Sequence, residues 1–146
     1  MSAPAAVQRS TGDLLLLLHT AGVVESYVDA RLSDIGLSLP KLAALDKLTK
    51  AGGSLPLGQL AERLACVKSN VTQLVDRLDA DGLVTRESDP NDRRSRLAVL
   101  TDAGRRTYET GAETFREAER HLFTVLTPEE TIRLADIFAK LERAID

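Results

Sequence analysis

The sequence predicts a mainly α-helical domain that carries one small β-hairpin. Six segments of the chain carry helix signals, which are apolar residues at helical spacing in four of them and capping or stop residues in the other two. Between the fourth and fifth segments, a cluster of turn formers separates two short runs of strand-forming residues. The chain has 146 residues, which is enough for one domain with its own core. We therefore expect a flexible tail over residues 1–10 and one domain over residues 11–146.

Composition excludes several classes of protein. Cys66 is the only cysteine, which excludes an internal disulfide, and only His19 and His121 accompany it, so no metal site is predicted. The chain has no run of about 18 apolar residues and no basic stretch before the leucines at 14–18, so we expect a cytoplasmic protein without membrane contact. It also lacks a glycine-rich phosphate loop and a helical histidine pair, so neither an enzyme nor a cofactor is predicted.

The first predicted helix, from Asp13 to about Ile35, is apolar on more than one face near its start. Such a helix usually packs in two directions. It is either the central core helix of a monomer or a helix shared between its own domain and a partner subunit. The sixth predicted helix is also apolar along one face, and only a dimer would cover both ends of the chain, so we predict a homodimer.

Three shorter helices follow the first. The second spans Leu39–Lys50, with Ser38 as its N-cap and Gly52 beyond its end. The third runs from about Pro56 to Ala65 and the fourth from about Lys68 to Asp81. The fourth helix has apolar residues at the spacing of an inward face, namely Val71, Leu74, Val75 and Leu78.

A hairpin and two longer helices complete the chain. Strand candidates at 83–86 and 96–100 lie on either side of the turn formers at 89–92, which predicts a hairpin with a long polar tip. Thr101 is the expected N-cap of a fifth helix that ends near Leu126. The sixth helix begins with the signature of a capping box, which consists of Thr127, Pro128 and Glu130.

This order of elements is typical of a winged helix-turn-helix, in which two helices joined by a tight turn precede a β-hairpin, the wing. The fourth helix presents a polar face whose amides suit adenine and whose charged and hydroxyl side chains suit phosphates or base edges. The candidate DNA contacts on this face are Lys68, Ser69, Asn70, Thr72, Gln73 and Arg77. A merely solvated face is the alternative, because every surface helix has a polar side.

The predicted wing favours DNA binding. Arg93, Arg94 and Arg96 place three arginines within four residues, and residues 91–106 carry a net charge of +3 in a chain whose net charge is −3. Positive charge on a thin ribbon is favourable in a minor groove, where negative potential is focused. The alternative is a soluble hairpin whose arginines pair with aspartates.

Five motifs occur together and in order along the chain. They are Leu60-Ala61-Glu62-Arg63-Leu64, Val71-Thr72-Gln73-Leu74-Val75-Asp76-Arg77-Leu78, Asp81-Gly82-Leu83-Val84, Asp89-Pro90-Asn91-Asp92-Arg93-Arg94-Ser95 and Leu100-Thr101-Asp102-Ala103-Gly104. Together they resemble the MarR (multiple antibiotic resistance regulator) family over about residues 12–145. The resemblance implies a dimeric winged-helix transcription factor, usually a repressor released by a small ligand or by oxidation.

The resemblance also implies a division of the domain. Dimerisation helices at about 12–36 and 102–146 would surround a DNA-binding winged helix at about 38–101, whose fourth helix reads a major groove and whose wing reaches a minor groove. A two-fold symmetric dimer predicts a pseudo-palindromic DNA duplex as the partner. The chain departs from the family pattern at Val67 and at Gln73. The first departure predicts a fourth helix that either starts one residue late or is capped by Ser69, and the second favours adenine readout by Gln73. Cys66 is expected to pack in the turn, because redox-sensing relatives carry their cysteine in the first helix.

Small ligands of the resembled family, often anionic aromatics, lie between the dimerisation helices and the DNA-binding part. Tyr27 and Arg31 are about 40° apart around the first helix, with His19 to one side, so together they could hold the carboxylate of a phenolic acid. The alternative is a surface Arg31 that packs its stem on Tyr27. A second class of function also stays open, namely a winged-helix module that binds protein without binding DNA.

Overall fold

The computed structural model describes residues 12–64 and 70–146. The expected tail at 1–10 lies outside this part of the chain, as do Cys66, Lys68 and Ser69. The predicted fold class, mainly helical with a hairpin wing, is confirmed. The elements in chain order are α1 (Asp13–Ser33), α2 (Leu39–Lys50), β1 (Ser54–Pro56), α3 (Leu57–Arg63), α4 (Val71–Ala80), β2 (Val84–Asp89), β3 (Asp92–Leu100), α5 (Asp102–Phe123) and α6 (Pro128–Ile145).

Helix α2 has the predicted bounds because local signals set both of its ends. The side chain of Ser38 accepts a hydrogen bond from the Lys41 N–H at 3.3 Å, as the predicted N-cap. Beyond the helix, Gly52 and Gly53 adopt φ values of 89° and 111°, which residues with a Cβ rarely adopt. This pair ends the helix and turns the chain into β1.

The hairpin belongs to a three-stranded antiparallel sheet with the order β1-β3-β2. Strand β1 has no signal in the sequence, because three residues are too few for an alternating pattern and the last of them is proline. It forms by pairing with β3, so that Leu55 lies opposite Ala98. The wing strands are longer than predicted, since β2 runs to Asp89 and β3 begins at Asp92.

The core lies between α2, α3, α4 and the sheet. Its largest fully buried side chains are Leu32, Leu45, Leu48, Leu60, Leu64, Leu78, Val75 and Val84. Val28 and Leu32 of α1 and Ala118 of α5 join this cluster. The two long helices are thereby attached to the winged-helix part of the chain.

Two predicted helix ends are wrong by three residues. Helix α4 begins at Val71 rather than Lys68, because the side chain of Asn70 caps it. Helix α5 ends at Phe123 rather than Leu126. The chain must leave the helix there, because Thr127 adopts extended backbone, with φ of −72° and ψ of 160°, to cap α6 in the predicted capping box.

The outer helices leave large apolar side chains uncovered in the single chain. Leu15 of α1 is 71% exposed, Ile145 of α6 is 85% exposed, and no residue of α6 is buried. Within residues 12–64 and 70–146, no helix combines the length and the apolar character that crossing a membrane requires.

Candidate nucleic-acid interface

Helix α4 separates an apolar face from a polar one. Leu74, Val75 and Leu78 are buried in the core, as the spacing predicts. On the opposite face, the candidate DNA contacts Thr72, Gln73 and Arg77 are exposed. The structure therefore places these three side chains on one accessible surface, which Asn70 joins at the start of the helix.

Asn70 has the structural role that the sequence pattern assigned to Ser69. Its backbone is extended, and its Oδ1 accepts a hydrogen bond from the Gln73 N–H at 3.3 Å, so Asn70 and not Ser69 is the N-cap of α4. The oxygen of this side chain is engaged at the helix end, and no hydrogen bond of its amide nitrogen is found within residues 12–64 and 70–146. Lys68 and Ser69, the remaining candidates on this face, lie outside the described residues.

The arginines of the wing lie where the β-ladder is irregular. Ser88 pairs with Arg96 and Asp89 pairs with Asp92, so residues 93–95 of β3 have no partner on β2 between them. A bulge of this kind bends a strand and redirects its side chains. Arg93, Arg94 and Arg96 are all exposed.

The acidic residues beside these arginines are held by the turn itself. Asp89 Oδ1 accepts the Asn91 N–H at 2.9 Å, and Asp92 Oδ1 accepts the Arg94 N–H at 3.0 Å. The ion pairs found within residues 12–64 and 70–146 do not include Arg93, Arg94 or Arg96. The guanidinium groups are thus free to meet an external anion.

Arg86 is a residue of this surface that no pattern in the sequence indicates. Its Nη2 lies 2.6 Å from Asp76 Oδ1 and donates a hydrogen bond to the Thr72 carbonyl oxygen at 3.1 Å. Asp76 is an acidic residue on α4 that would repel phosphate if it were unpaired. Because its partner lies on a different element, only the folded chain reveals this compensation.

The start of α2 adjoins the same face of α4. A cleft of about 250 Å³ lies between them, and it is lined by Ser38, Pro40, Lys41, Asn70, Gln73, Leu74 and Arg77. Lys41 in this cleft forms an ion pair with Asp81 at 2.7 Å. The candidate contacts on α4 and the first turn of α2 therefore form one continuous surface.

Comparisons with known proteins decide the family. A model of the MarR family matches residues 37–95, which extend from the start of α2 into the wing. MdtR of Bacillus subtilis (strain 168), an HTH-type transcriptional repressor, is 33% identical over 111 residues, which cover 76% of this chain and 71% of MdtR. The chain belongs to the MarR family.

Two further proteins are similar to this MarR-family chain. BadR of Rhodopseudomonas palustris (strain ATCC BAA-98 / CGA009), a transcriptional activatory protein, is 40% identical over 72 residues, which cover 49% of this chain and only 41% of BadR. The structure of Sco3205, a MarR-family transcriptional regulator from Streptomyces coelicolor in complex with DNA, matches with a TM-score of 0.75 and 27% identity, over 91% of this chain and 88% of that one. Proteins of the MarR family are transcriptional regulators rather than enzymes.

In this MarR-family chain, the candidate effector residues are brought together only in part. The Arg31 guanidinium carbon lies 4.9 Å from the centroid of the Tyr27 ring, so these two side chains are neighbours, as their spacing predicts. The ring stacked on Tyr27 is that of His121 on α5, at 6.1 Å between centroids, and not that of His19. The Tyr27 hydroxyl is buried without a hydrogen-bond partner among the described residues.

A larger cleft lies between α2 and α5, and no motif in the sequence indicates it. It has a volume of about 380 Å³ and is lined by Leu39, Leu42, Ala43, Asp46, Lys50, Tyr108, Ala112, Phe115 and Arg116. Most of these side chains are apolar, and three of them, Asp46, Lys50 and Arg116, are charged. This composition suits a small aromatic molecule with a polar substituent.

Asp46 forms the polar wall of this cleft. The Tyr108 hydroxyl donates a hydrogen bond to Asp46 Oδ1 at 2.6 Å, and Lys50 Nζ lies 3.0 Å from Oδ2. Burial raises the pKa of Asp46, but the hydrogen bonds from Tyr108 and Lys50 and the charges of two lysines outweigh it, so the pKa lies below its ordinary value. The hydrogen bond to Asp46, together with burial, raises the pKa of Tyr108. Asp46 therefore stays ionised and links α2 to α5.

Proposed function

We propose that this chain is a dimeric, sequence-specific DNA-binding regulator that represses transcription until a small ligand releases it from DNA. The observation that carries the DNA-binding part is the set of exposed arginines in the wing, whose charge is not neutralised by ion pairs within the described residues. They lie in the same winged helix as the exposed polar face of α4. One surface thus offers groups for both phosphate and base edges.

The dimer is proposed from the uncovered apolar residues of the outer helices. Leu14, Leu15, Leu16 and Leu18 of α1 are exposed in the single chain, as are Ile132, Ile137, Phe138, Leu141 and Ile145 of α6. Monomeric proteins rarely expose apolar patches of this extent. A two-fold dimer would cover both helices and would present two copies of α4 to successive major grooves.

A mobility-shift experiment tests the DNA-binding part. The duplexes are the region upstream of the gene for this protein, the region upstream of its divergent neighbour and a random sequence of equal length, each at two salt concentrations. We expect tighter binding to at least one upstream region, weaker binding at the higher salt, and a footprint with half-sites about 10–10.5 bp apart or a multiple of that. The alternative, a module that binds only protein, predicts no shift of any duplex at low salt.

Repression is proposed because MdtR, which aligns with most of this chain, is named a repressor. BadR, which is named an activator, aligns with only about half of this chain, so MdtR is the better guide to the sign of the effect. A reporter gene under the bound upstream region should be more active in cells that lack the protein. Lower reporter activity in those cells would make the protein an activator.

The ligand is proposed to be a phenolic acid bound between the outer helices and the winged helix. Arg31 beside Tyr27 supplies aromatic surface and a cation. The cleft between α2 and α5 supplies aromatic surface, and its lysine, Lys50, is shared with Asp46. Salicylate should weaken DNA binding, and by linkage DNA should weaken salicylate binding by the same factor. The titration compares wild type with Arg31→Ala and Lys50→Ala. A response equal to that of wild type removes the altered residue from the site.

A further inference from the structure

Arg86 joins the wing to α4 through one guanidinium group. It lies on β2 opposite Ala98, which is fully buried in β3, so the backbone of Arg86 is fixed by the sheet. Its Nη2 contacts Asp76 in the second turn of α4 at 2.6 Å and the carbonyl oxygen of Thr72 in the first turn at 3.1 Å. The side chain is only 29% exposed.

These contacts favour a role in geometry over a role in stability. The carboxylate partner Asp76 is 59% exposed, and ion pairs with exposed partners contribute little to the free energy of unfolding. Arg86 Nε is buried without a hydrogen-bond partner among the described residues, which costs free energy. Both contacts are made by the same nitrogen, Nη2, whose two N–H bonds have fixed directions in the guanidinium plane. They fix two acceptors of α4 relative to the sheet, whereas the N–H bonds of a lysine ammonium rotate freely.

We propose that Arg86 is the positioning residue that sets the angle between α4 and the wing, so that both enter neighbouring grooves of one duplex. This inference rests on the proposed DNA binding. The distance between adjacent major and minor grooves is set by the DNA. A fixed angle between α4 and the wing therefore lets both bind their grooves simultaneously. Arg86 also neutralises Asp76 on the surface that faces phosphate.

The test separates positioning from direct contact. The operator is here the upstream duplex that wild type binds most tightly. Its affinity and that of a random duplex are measured at three salt concentrations for wild type, Arg86→Met and Arg86→Lys. Thermal unfolding of the three proteins is measured as well. We expect Arg86→Met to bind the operator about tenfold more weakly or worse, the equivalent of one misplaced base contact. Random DNA should lose much less affinity, and only because Asp76 is then unpaired. The slope of log affinity against log salt should stay at its wild-type value, because every arginine that meets phosphate is still present. Arg86→Lys keeps the charge but should recover only part of the operator affinity.

Arg94→Ala is the matched control. It removes an arginine from the exposed part of the same wing, and it should weaken operator and random duplex alike and lower the salt slope by about 0.9. If Arg86→Met behaves like this control, Arg86 is a phosphate contact and the inference is wrong. An operator affinity of Arg86→Met equal to that of wild type overturns the inference as well.

Asp76→Asn provides a second measure in case Arg86→Met does not fold. It removes the charge partner and leaves Arg86 in place, so random DNA should bind more tightly while the ratio of operator to random affinity falls. An unchanged ratio overturns the inference. If wild type binds no duplex at all, both the proposed function and this inference fail. If wild type binds the operator and the variants bind it equally well, only this inference fails.

Discussion

The arginines of the wing differ from the polar residues of α4 in what they can recognise. Arg93 and Arg94 lie in the irregular part of the ladder, and their long, exposed side chains suit phosphates. Replacing both with alanine should weaken binding to every duplex and lower the salt slope by about 1.8, because each arginine that meets a phosphate accounts for about 0.9. Arg133→Ala on α6 is the control, which should leave the slope unchanged. Undiminished affinity of the double variant at moderate salt would show that the wing does not touch DNA.

Asn70 has two roles that substitutions can separate. Because its side chain caps α4, Asn70→Ala should lower the free energy of unfolding by about 1 kcal/mol, whereas Asn70→Ser keeps a capping oxygen and most of the stability. Both variants lose the amide, so both should lose discrimination at one base pair. Thermal unfolding and competition with operators that carry single base-pair changes measure the two effects.

Gln73 is expected to act on recognition alone. Its side chain is exposed, and its backbone N–H, not its side-chain amide, makes the capping contact with Asn70. Gln73→Ala should therefore leave stability almost unchanged and cost about 1–3 kcal/mol at a single operator position. An equal loss at all sequences would mean that Gln73 contacts phosphate and reads no base.

The Tyr108–Asp46 hydrogen bond should give stability a defined dependence on pH. Asp46 has a lowered pKa in the folded chain, so its contribution is present at neutral pH and is lost as pH falls through that pKa. Tyr108 has a raised pKa, so its contribution is present below its ordinary value near 10 and is lost at higher pH. Tyr108→Phe should thus lower the free energy of unfolding by about 1 kcal/mol at neutral pH and by less at both extremes.

The other tyrosine provides a matched control for this prediction. The Tyr27 hydroxyl has no hydrogen-bond partner among the described residues, so Tyr27→Phe should cost no stability at any pH. Urea unfolding of both variants at acidic, neutral and alkaline pH makes the comparison. A loss in Tyr108→Phe that stays constant over this range would contradict the proposed ionisation of Asp46.

Single-residue signals in the sequence are reliable where the interaction is local. Ser38 and Thr127 cap helices through contacts within three residues, and both are evident from the sequence. Arg86 contacts a carbonyl oxygen 14 residues away, and no pattern of residue types indicates which of several arginines will make that contact. The cap of α4 is ambiguous in the sequence because Ser69 and Asn70 are adjacent and equally suitable.

At the scale of elements, the start of helix α5 approaches the turn between α4 and β2 so closely that Gly104 has no space for a side chain. Thr101 donates a hydrogen bond to the Gly82 carbonyl oxygen at 2.7 Å and accepts one from the Gly104 N–H at 3.0 Å. A Cβ on Gly104 would collide with the Leu83 carbonyl oxygen and would lie 2.8 Å from Leu100 Cδ1. Since backbone cannot move aside as a side chain does, α5 requires glycine here.

Gly104→Ala should therefore destabilise the fold by at least about 1–3 kcal/mol. Gly58→Ala in α3 is the control, because a Cβ there meets nothing within 4 Å, and its better helix propensity should stabilise the fold by up to about 1 kcal/mol. Denaturant unfolding of both variants gives the two free energies. Equal stability of the two variants would contradict the close approach of α5.

Elements with periodic and capping signals are predictable from the sequence, and those that depend on a distant partner are not. The bounds of α2 follow from Ser38 and Gly52, whereas β1 exists because β3 offers an edge and because the Leu100 N–H donates to the Gly53 carbonyl oxygen at 2.7 Å. The cleft between α2 and α5 is another such case. Asp46 and Tyr108 are 62 residues apart, so only the packing of two helices reveals them as one site.

At the scale of the whole molecule, the proposed dimer depends on α6. Leu141 is exposed in the single chain and lies on the apolar face of this helix. A carboxylate buried at a dimer interface without a partner should raise the dissociation constant at least about 100-fold, so Leu141→Asp should be monomeric or unfolded at micromolar concentration. Lys140→Asp, one residue earlier, is the control. Sedimentation equilibrium measures both, and a stable wild-type monomer would contradict the dimer.

The irregular ladder of the wing affects how copies of the protein meet each other. In the order β1-β3-β2, strand β2 lies at the outer edge of the sheet, where an open strand can recruit another chain and start aggregation. Here the ladder breaks between Ser88 and Asp89, Pro90 offers no N–H, and the arginines of β3 repel a second wing of the same charge. The features that suit the wing to a polyanion therefore also keep concentrated protein from assembling edge to edge.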